Sequence, residues 1–432
     1  MTSSIFSSVL VEPITADDIP EQGHEGPRLV PAPHWSLATR IAFRFFFAYL
    51  ILFNFHPLYL GVPWVESHVF HLSHVGAAAM NGSGDTTYAY VETFCALVAA
   101  CVVTLIWSLL DRKRTNYVRL HQWFRLGVRL MLGAAMLLYG AAKVIPSQMP
   151  APYLASLLES YGDSSPMRLL WTFIGASKPY EIFCGASEML GGILLFVPAL
   201  VTLGSLICIA VLTNVFILNM CYDVPVKLYS FHLLLMAVFL AAPELRNLMD
   251  LFLFKRRVEL SKPLPLFRRA WLNRTILALQ LLAGVGLATM SLYGAHQSAQ
   301  QLALRSPYYG AWSVEEYVVD GNVQPLALSE ATRWRRVILD NPQRFTLQFV
   351  DAPQQKFLLK LDDSKKVFTL TKLGDADWKA DLALHHPSND VLLLDGQIDG
   401  HLIHARLHRE ENRKFLLTSR GFHWINEYPN NR

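Results

Sequence analysis

The sequence predicts an α-helical polytopic membrane bundle followed by a C-terminal all-β barrel domain. Hydrophobic residues make up 52% of the 432 residues and charged residues only 17%, whereas a soluble domain carries about 25% charged residues. Seven apolar segments approach or reach the length of about 20 residues that crosses a bilayer. After them the pattern changes to short β-branched and aromatic runs. We therefore expect a polar, proline-containing and disordered cytoplasmic tail over 1–35, a transmembrane domain over 36–298, and an extracytoplasmic β-barrel domain over 303–432.

The distribution of Lys and Arg between the predicted spans orients the bundle. The connection 111–125 holds five basic residues and 243–270 holds seven, whereas 57–87 has none. Because basic connections stay in the cytoplasm, we expect the N-terminus inside and the barrel outside. Two amphipathic segments, 153–161 and 166–175, are too short to span. The predicted spans are 37–56, 89–110, 124–145, 180–198, 200–220, 227–242 and 271–293.

A carboxylate interrupts the fourth predicted span. Glu188 lies eight residues into it, and a charge at mid-helix costs about 2.5–3.5 kcal/mol on insertion scales. Lys143, at the outer end of the third span, is its candidate partner. Further polar residues fall in the outer half of the neighbouring helices or at their mouth: Glu181, Asn214, Asp223, Lys227 and His232.

Two interpretations of these polar residues remain open. In one, Glu188 and Lys143 pair and fix the helix packing, and Asp223 and Lys227 form a local ion pair in a turn. In the other, Glu188 and Lys143 are catalytic in a proton-active pocket whose binding residues are the other five.

Two motifs resemble a known family. The stretch "VRLMLGAAMLLYGAAKVIP" contains Arg129, Gly133, Gly140 and Lys143, and "SEMLGGILL" contains Glu188, Gly191 and Gly192. Together they resemble the DoxX-like membrane proteins, four-helix bundles, over about residues 122–245. The resemblance implies association with quinone-linked sulfur oxidation or with redox-stress complexes in bacterial membranes, so we expect a protein of the bacterial inner (plasma) membrane. Arg129, Gly191 and Gly192 are expected to be structural; the two glycines would let a neighbouring helix approach closely.

The C-terminal part has nine strand-like runs, beginning with "AWSVEEYVVDG" and ending with "KFLLTSRGFHWINEY". Such a meander is best closed into a barrel. "GAW" at Gly310–Trp312 resembles the GxW signature of lipocalin-like (calycin) barrels, which implies that Trp312 packs against a basic side chain near the last strand, for which Arg420 is the candidate. A sandwich that binds nothing is the alternative.

Three functions are consistent with this sequence. The first is an accessory subunit of a membrane redox system that handles a quinone or a small hydrophobic molecule, with proton exchange at Glu188. The second is a non-enzymatic protein whose barrel binds or sequesters an amphiphile, and the third is a transporter. Expected partners are membrane lipid and redox-complex subunits; the net charge of +4 does not indicate nucleic acid. The histidines of "HVFHLSH" (His68, His71 and His74) read as surface residues, so no metal site is predicted, and a disulfide between Cys184 and Cys221 stays open.

Overall fold

The computed structural model describes residues 34–72, 82–258, 265–325, 333–350, 353–411 and 414–430. Nearly all of the predicted tail over 1–35 therefore lies outside the described residues. Short 3₁₀ turns lie at Tyr161–Asp163, Pro198–Leu200 and Ala242–Glu244. The helices are α1 (Leu37–Phe55), α2 (Val62–His68), α3 (Thr87–Leu110), α4 (Val118–Val144), α5 (Leu154–Leu158), α6 (Pro166–Gly175), α7 (Lys178–Phe196), α8 (Val201–Cys221), α9 (Lys227–Ala241), α10 (Leu245–Phe252), α11 (Ala270–Leu302) and α12 (Leu416–Ser419).

All seven predicted spans are helical, but their compositions differ. Within the described ranges, six helical segments are long and apolar enough to cross a membrane: α1, α3, α4, α8 with its preceding turn, α9 with α10, and α11. Helix α7 is not among them, although its 19 residues match α1 in length. It carries Lys178, Glu181 and Glu188, and it buries both glutamates inside the protein. Six of the seven predicted spans are therefore apolar enough to cross a membrane by themselves, whereas the fourth, α7, carries charged side chains and buries two of them within the bundle.

Helix α7 runs antiparallel to α4. A Cβ added at Gly133 would meet Phe196 and Gly192, whereas one added at Gly140 would meet Gly185 and Met189. The two helices are therefore in contact over about half of their lengths.

The start of α9 is fixed by a side chain from outside that helix. Asp85 accepts hydrogen bonds from the backbone N–H groups of Lys227 (2.8 Å) and Leu228 (2.9 Å). A carboxylate at a helix N-terminus satisfies unpaired N–H groups and complements the helix dipole. The connection before α3 is thereby attached to the turn between α8 and α9.

The two ends of the bundle are distinct. At one end, Arg40 of α1 donates to the carbonyl of Arg114 (2.6 Å), in the basic connection between α3 and α4. At the other, the connection between α4 and α7 contacts the barrel, where the Ala155 N–H donates to Asp340 Oδ2 (2.9 Å). Because α4 joins these connections, the N-terminal helix begins at one end of the bundle and the barrel lies at the opposite end.

The C-terminal domain is a closed antiparallel barrel. Its strands are β1 (Gly310–Val319), β2 (Asn322–Val323), β3 (Trp334–Asn341), β4 (Arg344–Phe349), β5 (Gln355–Asp362), β6 (Val367–Lys372), β7 (Asp375–Ser388), β8 (Val391–Ile398) and β9 (His401–Arg409). Each strand pairs with the next in a meander, except that β2 only extends the tip of β1. Strand β9 pairs with β1, with Trp312 opposite Arg409. Eight strands thus form a closed barrel, which excludes the sandwich.

The barrel interior is a packed hydrophobic core. Trp312, Phe345 and Phe368 are among its largest fully buried side chains. Alternating residues of the strands complete it, among them Val337, Leu347, Leu370, Leu382, Leu394, Ala405 and Leu407.

The last predicted strand and the predicted partner of Trp312 are both wrong. Residues 414–428 form α12 and irregular backbone, because β1 and β9 already pair and leave no edge for another strand. Arg420 is exposed and donates to Asn426. It is Arg409 that lies over the Trp312 ring, 6.0 Å from its centroid, and donates to the Tyr309 carbonyl (3.0 Å).

Candidate functional site

Lys143 and Glu188 form a buried ion pair between α4 and α7. The Lys143 Nζ atom lies 2.8 Å from Glu188 Oε1 and 2.9 Å from Oε2. The residues are 7% and 3% exposed. Removing one partner of such a pair leaves an uncompensated buried charge, which costs about 3–5 kcal/mol. The pairing predicted from the sequence is confirmed.

Glycines bring the two helices together beside this pair. A Cβ at Gly185 would lie 2.5 Å from the Gly140 carbonyl oxygen, and one at Gly192 would lie 3.1 Å from that of Gly133. Gly191 faces α8 instead, since its Cβ would lie 2.8 Å from Cys208 Sγ. Because α4 and α7 approach so closely, the Lys143 side chain reaches Glu188.

The ion pair forms part of the wall of an apolar cavity of about 350 Å³. Helices α4, α7, α8 and α9 line it, and α6 covers one side with Leu170, Trp171 and Ile174. Trp171 is held in place by a hydrogen bond from its Nε1 to the Gln148 carbonyl (3.1 Å). Apolar side chains dominate the lining. The polar groups are Tyr139, Lys143, Gln148, Tyr180, Cys184, Ser187, Glu188, Asn214, Asn219, Tyr229 and Ser230.

Two residues that line the cavity are exposed on the surface of the helical bundle. Phe183 of α7 is 65% exposed, and Asn214 of α8 is also exposed. Since α7 and α8 are neighbouring helices, the cavity reaches the surface between them.

Among the seven residues predicted for the pocket, Lys143, Glu188 and Asn214 line this cavity. His232 does not. Its Nε2 atom is 2.7 Å from the Tyr49 hydroxyl, and its ring stacks on Phe53 at 3.6 Å. It therefore faces α1 rather than the cavity.

The remaining three predicted binding residues are occupied locally. Glu181 accepts a hydrogen bond from the Met149 N–H (3.1 Å) and fixes the connection after α4. Lys227 Nζ pairs with Asp223 at 2.8 Å within one turn, which is the local ion pair of the first interpretation.

Two tyrosines and a tryptophan that line the cavity were not predicted from the sequence. The rings of Tyr139 and Tyr229 lie 6.1 Å apart on the cavity wall. Tyr139 precedes Lys143 by four residues, and helical periodicity places such residues on one face. That spacing indicated Tyr139, whereas Trp171 lies on α6, whose docking over the bundle no spacing predicts.

Arg129 has a structural environment. It is buried and donates to Gln280 of α11, which joins the last long helix to α4. All five cysteines are free, so Cys184 and Cys221 are not bridged. His74 lies outside the described residues, and the part of the chain that is described contains no cluster of three side chains suited to a metal.

Comparison with known proteins yields one informative match. No family model and no solved structure matches the chain. A stretch of 124 residues is 32% identical to YwoB, an uncharacterized protein of Bacillus subtilis (strain 168). The match covers 79% of that protein and 29% of this chain. The resemblance to DoxX-like proteins stays a prediction.

Proposed function

The chain belongs to the family of the uncharacterized Bacillus subtilis protein YwoB, and from the site itself we propose that it binds a small hydrophobic molecule, a quinone being the candidate, in the cavity beside Lys143 and Glu188. The observation that carries this proposal is a buried ion pair exposed to an apolar cavity rather than enclosed by packed side chains. An ion pair that served packing alone would need no such space.

The cavity suits a ligand with an apolar body and a polar head. Its volume of about 350 Å³ falls within the range of about 300–1,000 Å³ found for ligand sites. The Lys143 ammonium has three N–H donors, and its one hydrogen-bond partner among the described residues is Glu188. A donor is therefore left for a carbonyl oxygen. Tyr139 and Tyr229 add polar groups to the cavity wall, and the Tyr139 ring centroid lies 6.0 Å from Lys143 Nζ.

A quinone fits these features because it has carbonyl oxygens on a flat ring and an apolar tail. The opening between Phe183 and Asn214 would let such a molecule enter from the lipid. In this proposal Glu188 gives or takes a proton at a quinone oxygen. Electron transfer belongs to partner proteins of a membrane redox system, of which this chain is an accessory subunit.

We also propose a location in a bacterial inner membrane, with the N-terminus in the cytoplasm and the barrel outside. Two observations support it. The connection between α3 and α4 is rich in Lys and Arg, and the barrel lies at the opposite end of α4. Basic connections stay in the cytoplasm.

The barrel is a weaker candidate for the binding site. Trp312, Phe345 and Phe368 fill its interior together with the aliphatic side chains of every strand except β2. An amphiphile inside the barrel would have to displace this core.

Binding of a short-chain quinone to the purified protein in lipid nanodiscs tests the proposal. We expect saturable binding by calorimetry, weakened about tenfold or more in Lys143→Met/Glu188→Gln, because a hydrogen bond to a charged group contributes about 1.5–3 kcal/mol. The matched control is Leu138→Ala, an exposed residue of α4 outside the cavity lining. Equal affinity of the wild-type protein and the double variant would refute the assignment of the site. Mass spectrometry of co-purifying molecules identifies the ligand class. If the protein neither binds nor co-purifies with any quinone, the ligand is not a quinone.

A further inference from the structure

The segment after the last barrel strand exposes large apolar side chains to an unusual degree. Phe422 is 74% exposed, Trp424 91%, Ile425 78% and Tyr428 84%. Soluble surfaces carry such side chains singly, and a contiguous group of them marks an interaction surface. These four lie within seven residues of sequence, which makes the segment 414–430 a candidate for such a surface.

The segment begins next to the end of the last long helix. Phe415 and Thr418 line a cavity of about 420 Å³ together with Leu302, Ala303 and Leu304. The tail is therefore seated where the chain passes from α11 into the barrel.

The length of α11 places this point relative to a membrane. Its 33 residues make a helix of about 50 Å at 1.5 Å per residue, and a bilayer with both headgroup layers is about 40–45 Å thick. Two arginines, Arg268 and Arg269, precede the helix directly and suit one headgroup layer. The other end of α11, and the tail beside it, then lie at the surface of the opposite headgroup layer.

The chemistry of the tail suits that layer. Trp and Tyr are enriched at membrane–water interfaces, where their amphipathic rings lie among the headgroups. Lys414 and Arg420 precede the aromatic group and complement anionic lipid. Phe422 and Trp424 pack edge to face at 5.0 Å and together form one apolar surface.

We propose that residues 414–430 bind the lipid surface and hold the barrel against the membrane. The partner is a phospholipid headgroup layer, and the side chains that enter it are those of Phe422, Trp424, Ile425 and Tyr428. This inference depends on α11 spanning the membrane and is independent of the quinone proposal.

Nitroxide accessibility in the full chain tests it. The five native cysteines are replaced by Ala or Ser, a spin label is attached at Ile425→Cys, and the protein is reconstituted into nanodiscs of phosphatidylethanolamine and phosphatidylglycerol. The matched control is Leu402→Cys. Leu402 is also exposed. Its N–H donates a hydrogen bond to Asp320, which follows β1 at the end of that strand farther from α11. Both positions point outward, so a label at either disturbs no packed side chain.

We expect the ratio of collisions with oxygen to collisions with a water-soluble nickel chelate to be several-fold higher at 425 than at 402. Substituting Phe422→Ser and Trp424→Ser in the 425-labelled chain should lower the ratio to that at 402. Equal ratios at 425 and 402 in the unsubstituted tail would overturn the proposal. Low accessibility of 425 to both reagents would also overturn it, because the tail would then be covered by protein, for example by a second copy of the chain.

Discussion

Gly140 and Gly185 bring α4 and α7 into backbone contact immediately beside the buried ion pair. A Cβ at Gly140 would lie 2.8 Å from the Gly185 carbonyl oxygen, and a Cβ at Gly185 would lie 2.5 Å from the Gly140 carbonyl oxygen. Real Cβ atoms do not approach other atoms so closely. The position of Lys143 relative to Glu188 therefore depends on the absence of two side chains.

Gly185→Ala should separate α4 from α7 and destabilise the bundle. Overpacking of a tight contact costs about 1–3 kcal/mol, and it should also weaken quinone binding by displacing Glu188. Thermal unfolding in detergent measures the first effect. Gly286→Ala in α11 is the control, since a Cβ there meets no atom within 4 Å and Ala favours a helix over Gly by about 1 kcal/mol. Equal melting temperatures of the two variants would contradict the close crossing.

Lys143→Met and Glu188→Gln should each destabilise the bundle by about 3–5 kcal/mol, because each leaves one side of a buried ion pair uncompensated. The double variant should recover part of that loss. Unfolding measurements on the four proteins give the coupling energy as a double-mutant cycle. Strictly additive effects would show that the two residues do not interact.

Single cysteines in a cysteine-free chain should report the membrane orientation. Ser67→Cys and Leu402→Cys should react with an impermeant maleimide in intact spheroplasts, whereas Lys113→Cys should react only after lysis. All three positions are exposed, so differences in labelling reflect the membrane rather than burial. Labelling of Leu402→Cys from the cytoplasmic side alone would mean that α7 does not cross and that the bundle has six spans.

Residues 303–432 should fold on their own, since the barrel is closed and its core is self-contained. In this fragment Trp312→Ala should cost about 3–5 kcal/mol, as loss of a large core aromatic does. Arg409→Met should cost about 0.5–2 kcal/mol through the lost cation–π contact. Urea denaturation followed by circular dichroism measures both. Arg420→Met is the matched control and should leave the denaturation midpoint unchanged. A larger effect at Arg420 than at Arg409 would restore Arg420 as the basic partner of Trp312.

The barrel should lose stability at high pH through Tyr317. Burial raises the pKa of its hydroxyl from 10.0 to about 12. Because the pKa of Tyr317 is higher in the folded than in the unfolded state, its contribution to the free energy of unfolding is complete below pH 10. That contribution is lost as the pH rises toward 12. Two pKa units correspond to about 2.7 kcal/mol. Denaturation of the fragment between pH 9 and 12 should show this loss of stability. Tyr317→Phe should remove the part of the loss that comes from ionisation of Tyr317. An identical pH profile for the variant would contradict the assignment.

Much of the architecture could be predicted because it depends on periodicity within short segments. Apolar runs located the long helices, although α4 begins six residues earlier and α11 ends nine residues later than predicted. Of the nine runs predicted to be strands, eight form strands of the barrel. The exception was 414–428, whose Phe, Leu and Trp content resembles a strand. Whether such a run pairs depends on a free sheet edge, and β9 had already taken that edge. Composition alone does not contain this information.

The site was predictable only in part, for a similar reason. Sequence gives the depth of a polar residue along its helix, so Lys143, Glu188 and Asn214 were correctly placed together. It does not give the rotation of that helix relative to its neighbours. His232 lies at a comparable depth but faces Tyr49 on the far side of α9.

The pairing of β1 with β9 has a consequence for biogenesis. The first and last strands of the barrel lie nearly the whole domain apart in sequence, yet each is the other's neighbour. The ribosome makes β9 after every other strand of the barrel, so β1 has no partner on that side until β9 has been synthesised. Contacts between segments so distant in sequence also form slowly. A chain that stops before about residue 400 would leave two open strand edges, and such edges promote aggregation. A nonsense mutation between α11 and β9 should therefore be as damaging as an early one, although helices α1 to α11 would already have been made.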